Sequence, residues 1–214
     1  MRKEKSKGKI KEIILKHIVN NKKEYLSACM IFLIGIILGV LFLNYMQEAE
    51  QTEVKNYIQN FIQTLKEGNT TIDQEALLKS SIKSNVIMGI FLWFMGSTVI
   101  GMPIVYLYIA YRGFCISYAI SAAIAVLGTG KGMLFSVSSI LLQNIMIIPI
   151  FLALSVSGMN LYHSIMKDKR KENIKVEIIR HTIFSLIGIM VLILAAFIEV
   201  YGSSNILMAA VKYL

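Results

Sequence analysis

The sequence predicts an all-α, polytopic helical integral membrane protein with about five transmembrane helices and one amphipathic helical loop outside the bilayer. Three observations predict it. The 214-residue chain is 56% hydrophobic, above the roughly 45–50% of a soluble domain, and its mean hydropathy is +0.63. The apolar residues fall in blocks near the roughly 20 residues that a helix needs to cross a bilayer. Lysine and arginine gather beside alternate blocks, as they do where loops face the cytoplasm.

The elements follow in order as one membrane domain, 1–214. Residues 1–24 are a basic leader, with Arg2, Lys3, Lys5, Lys7, Lys9, Lys11, Lys16, Lys22 and Lys23 against Glu4, Glu12 and Glu24. Residues 25–45 form the first span. The apolar run is longer than a signal-peptide core and has no small-x-small cleavage site, so it is expected to be retained. Residues 46–84 form the outer loop. The second span is placed at 86–109 and the third at 113–127, with Arg112 between them. The third is short enough for a re-entrant alternative. The fourth lies at 133–161, a basic loop at 162–181 and the fifth span at 182–200. The tail, 201–214, is too short to cross again and is expected at the interface.

Five crossings put the leader, Arg112 and the basic 162–181 loop on one side, which makes that side and the N-terminus cytoplasmic. The outer loop, Lys131 and the tail then face outward. The net charge of +9 is explained by this clustering, which meets anionic head groups. No nucleic-acid role is expected. Cys29 and Cys115 read as small buried hydrophobes. His17, His163 and His181 read as interfacial side chains in the basic flanks. No Cys/His spacing reads as a metal site, and no cofactor is expected.

In the outer loop, Val54, Tyr57, Ile58, Phe61, Ile62 and Leu65 recur at helical spacing and make one apolar stripe. Gly68 would end that helix. Thr71-Ile72-Asp73-Gln74 reads as a capping box that opens a second short helix. The pair could lie on the outer leaflet, bind a partner, or pack on its own membrane core. Val54, Tyr57, Phe61 and Ile62 are the candidate partner surface.

Polar groups at bilayer depth are costly and therefore informative. Gln143 and Asn144 are adjacent amides in the fourth span, and two neighbours on a helix cannot share a face. They are expected as hydrogen-bonding contacts between helices, with a permeation path as the sharper alternative. Arg112 is expected to reach the cytoplasmic surface, and Glu199 to be an ordinary interfacial acid. Gly35 and Gly39 form a GxxxG, which permits close helix packing or a homodimer. Pro103 and Pro149 are expected to kink late parts of their spans. No GxSxG elbow, HExxH or paired intramembrane carboxylates are present. Gly128-Thr129-Gly130-Lys131-Gly132 lacks phosphate-loop spacing and reads as a tight turn.

Several stretches, taken in order, carry a family resemblance. They are the basic leader before Gly35 and Gly39, Tyr57-Ile58-Gln59-Asn60-Phe61, and Gly96-Ser97-Thr98-Val99-Ile100-Gly101-Met102-Pro103. They continue with Tyr111-Arg112-Gly113-Phe114-Cys115-Ile116-Ser117-Tyr118, then Leu142-Gln143-Asn144 before Pro149. Together they resemble the stage II sporulation protein M family of endospore-forming Firmicutes, and the lysine- and isoleucine-rich composition resembles a clostridial member. The resemblance implies a role in engulfment of the forespore, at the mother-cell or septal membrane. It implies a complex with stage II sporulation proteins D and P, which are peptidoglycan hydrolases. It also implies a non-enzymatic scaffold, as expected where catalytic groups are missing. The competing expectation is a small transporter or exporter permease subunit that uses the mid-membrane amides.

Overall fold

A computed structural model describes residue 15 and residues 17–66, 73–98, 100–167 and 174–213. It is 95% helical, with no strands among the described residues. Among those residues, five helices are long and apolar enough to cross a membrane. The basic leader up to residue 14, Lys16, Gly68, Thr71, Ile72 and Lys169 to Lys171 lie outside the described residues.

Helix α1 (Lys22–Tyr45) is apolar on every side, the pattern of a helix surrounded by lipid and protein together. At about 1.5 Å per residue it spans roughly 36 Å, enough for a bilayer core of about 30 Å. The shorter α2 (Glu48–Lys66) follows, a strongly amphipathic helix. Then come α3 (Gln74–Gly96) and α4 (Gly101–Leu127). Helix α5 (Thr129–Ser136) runs through one π turn (Val137–Leu141) into α6 (Leu142–Lys167). Helix α7 (Ile174–Ile198) runs through a second π turn (Glu199–Ser203) into α8 (Ser204–Val211).

Two boundaries differ from the sequence reading. The break between the second and third spans falls between Gly96 and Gly101, not at Arg112. Ser97 Oγ donates to the Trp93 carbonyl at 2.7 Å and Thr98 Oγ1 to the Met95 carbonyl at 3.0 Å. These bonds satisfy carbonyls that a helix end leaves open. Pro103 therefore sits in the first turn of α4, where its missing N–H is harmless, and does not kink a preceding span. Helix α4 has 27 residues, long enough to cross, which removes the ground for a re-entrant third segment. The second correction concerns the expected short helix after the outer loop. It is continuous with the span α3. Asp73 caps it by accepting from the backbone of Glu75 at 3.1 Å and of Ala76 at 3.0 Å, a side-chain cap of ordinary type.

Helix α1 runs beside α4 as the most extensive helix pair, and glycine makes that possible. A Cβ at Gly35 would strike the Ala110 carbonyl. One at Gly39 would strike Ser117 and the Phe114 carbonyl, and one at Gly113 would strike the Phe32 carbonyl. The GxxxG is thus occupied within the chain. The core proper joins Ala28, Met88, Leu92, Val105, Ile109, Phe151, Leu154 and Leu192 from α1, α3, α4, α6 and α7.

The last two spans, Thr129–Met166 and Ile174–Val211, have 38 residues each, or about 57 Å at helical rise. They are nearly twice the thickness of the bilayer core. At their end away from the leader, α2 lies against them. Ile62, Leu65, Ala123, Phe135, Leu207 and Val211 close a second, smaller core there. The tail is therefore a packed helical extension, because its apolar face finds α2 and α5.

Candidate functional site

The most polar ground inside the membrane block is where α3, α4, α6 and α7 meet. Glu199 heads the second π turn and is half-buried. Ser81 of α3 donates to its carboxylate at 2.5 Å, and the Gln143 amide of α6 donates to the other oxygen. Deeper in, Asn85 is buried and donates to the Leu192 carbonyl at 3.1 Å. Arg112 stands near the middle of α4, with its guanidinium 6.0 Å from the centre of the Phe151 ring. It lies within electrostatic reach of Glu199.

This arrangement revises three expectations. Arg112 is not at a helix end. It is an ionisable group inside a membrane-spanning helix, with an aromatic face beside it and a carboxylate in range. Glu199 is not a plain interfacial acid, because two side-chain donors from other helices hold it. Gln143 reaches across to another helix, whereas Asn144 turns back and donates to Ile140 of its own helix at 2.8 Å.

Asn144 belongs to a pattern shared by both π turns. A π turn disturbs the regular carbonyl ladder, and unpaired carbonyls in a membrane are expensive. Around the first turn, Ser138 and Ser139 serve the carbonyls of Leu134 (2.8 Å) and Phe135 (2.6 Å). Around the second, Ser204 serves Val200 and Asn205 serves Tyr201 at 2.7 Å. Ser138-Ser139 with Asn144, and Ser204-Asn205, are thus local donor sets. Such a cluster in an apolar run was the signal available in the sequence.

The expected partner surface divides. Ile62 is buried in the small outer core and Val54 is half-buried. Tyr57 is 75% exposed and Phe61 41% exposed. Phe61 also meets the Phe135 ring edge-on at 6.3 Å. Half the stripe packs on its own membrane domain and half remains outward.

At the leader end the histidines are not equivalent. His181 is buried, not interfacial. Its Nε2 donates to the Trp93 carbonyl at 3.3 Å, which leaves Nδ1 to accept from Ser157 at 2.9 Å. His163 lies 3.4 Å from Glu24. His17 stacks on Phe184 with ring centres 5.0 Å apart, and burial lowers its pKa. Cys29 is exposed on the side of α1, not buried, while Cys115 is half-buried. Among the described residues, no group of three or more His, Cys, Asp or Glu is placed to hold a metal.

Comparison with curated proteins and with solved structures finds no match. The family model of stage II sporulation protein M matches residues 28–204. That stretch runs from the first span to the second π turn and takes in both the α1–α4 glycine seam and the Glu199 cluster. The chain belongs to the stage II sporulation protein M family.

Proposed function

We propose that this sporulation-related, multi-pass membrane protein is a non-enzymatic scaffold that anchors peptidoglycan hydrolases to the membrane during engulfment. The hydrolases are those the family resemblance implies, stage II sporulation proteins D and P. The single observation that carries the reading is the platform at the end away from the leader. Two long helices end there, α2 is held against them by Ile62 and Leu65, and Tyr57 stays 75% exposed beside Phe61. A rigid element that presents aromatic side chains suits recognition, because aromatic anchors bury much area at low entropic cost.

The reading also needs the platform to face the wall. The lysine and arginine bias supports a cytoplasmic leader and a platform outside, in the mother-cell or septal membrane. One experiment covers both points. In sporulating cells, a Tyr57→Cys variant is expected to react with a membrane-impermeant maleimide from outside. Tyr57→Asp with Phe61→Asp is expected to abolish recovery of the hydrolases in a pull-down while the chain stays in the membrane. Protection of the introduced thiol would reverse the orientation. Unchanged recovery would remove α2 as the partner surface.

A second reading, a small transporter subunit, draws on the Arg112, Glu199 and Gln143 group, since intramembrane charges often mark pathways. Replacing Gln143 and Asn144 together with leucine separates the two. The scaffold reading expects weaker complex assembly and no change in solute flux. Loss of flux with assembly intact would favour transport.

A further inference from the structure

A cleft of about 1040 Å³ opens at the leader end, between the starts of α1 and α7 and over the last turns of α6. Helices α1 and α7 both pack on α6 yet make no extended contact with each other. The space between them is bridged by the His17–Phe184 stack. Its rim is polar and carries both signs of charge. Glu24 and His163 stand on one side, Glu177 and Arg180 on the other, and the Asn160 amide and Ser164 hydroxyl lie between. Ala153, Leu161 and Phe184 line it farther in, beside the buried Ser157 and His181.

That combination selects a class of ligand. The lining sets two carboxylates, Glu24 and Glu177, beside the Arg180 guanidinium, so it offers both signs of charge to one ligand. A zwitterion with an ammonium and a phosphate can satisfy both signs at once. Arg180 donates to Glu177 at 2.8 Å, and a zwitterion would exchange that bond for two, its ammonium on Glu24 and Glu177 and its phosphate on Arg180 and the Asn160 amide. The cleft lies at the level where α1 begins, next to Lys22 and Lys23, so a lipid head group at the end of the first span can reach it. The gap between α1 and α7 lets acyl chains leave the cleft along apolar helix faces. We propose that this cleft binds an aminophospholipid through its phosphoethanolamine head group.

The test uses the purified full-length protein in mild detergent, with native mass spectrometry as the readout. Phosphatidylethanolamine is expected to be retained about tenfold better than phosphatidylglycerol, the ratio that one favourable charge contact supplies. Soluble glycerophosphoethanolamine should displace it and inorganic phosphate should not. Arg180→Ala and Asn160→Leu should each cut retention several-fold. Equal retention of the two lipids would overturn the assignment. Displacement by inorganic phosphate would reassign the cleft as an anion site and overturn it too. The wild-type competition stands even if a variant fails to fold.

Discussion

Glu199→Gln is expected to destabilise the protein by about 1.5–3 kcal/mol, the worth of a hydrogen bond to a charged group. The substitution keeps the shape and one acceptor oxygen but puts an amide N–H where the other oxygen accepts. Either Ser81 or Gln143 then loses its acceptor, and the charge that strengthens both bonds is gone. Ser81→Ala together with Glu199→Gln should cost little more than Glu199→Gln alone, because both changes remove contacts of one cluster. Thermal unfolding in detergent, run as a double-mutant cycle, measures this. Additive losses would show that Ser81 and Glu199 act independently. An unchanged Glu199→Gln variant would show that the carboxylate is held by water and not by its two donors.

Gly35→Leu carries the second large effect. The position faces the backbone of α4, where even a single methyl would sit on the Ala110 carbonyl. A carbonyl inside a helix cannot swing aside as a side chain can, so α1 and α4 must separate along their length. The expected loss is at least about 1–3 kcal/mol, the range for overpacking a well-filled core. Ile34→Ala, one residue away on the exposed side, serves as the control and should be close to neutral. Monodispersity on size exclusion together with unfolding temperature reads the result. If Gly35→Leu changed only the oligomeric state and left unfolding unaffected, the seam would join two copies and not two helices of one.

The seam and the charge group illustrate how far the residues could be read in advance. The GxxxG was visible, since two small residues at that spacing mark a helix contact whatever the partner. Its partner was not, because Ala110 and Gly113 lie three helices further along the chain and nothing local couples them. Arg112 was misplaced for a related reason. A charge between two apolar blocks reads as a loop, and only a packed neighbour such as Phe151 or a distant Glu199 shows that it is housed inside a helix. Pro103 by itself suggests a kink within a span, while the hydroxyls of Ser97 and Thr98 show a turn between two helices just before it.

The sequence by itself determined the class of the protein. Apolar blocks of bilayer length, basic residues beside alternate blocks and a stripe at helical spacing are all local or periodic properties, and they follow from hydrophobicity and helix geometry alone. The tertiary structure decided everything that depends on which faces meet. It turned half of the α2 stripe inward onto Phe135, Leu207 and Val211, left Tyr57 outward, and set Ser81 and Gln143 on either side of Glu199. Those outcomes rest on contacts between residues more than 50 positions apart, where the rotation of one helix against another is set by packing and polar satisfaction together.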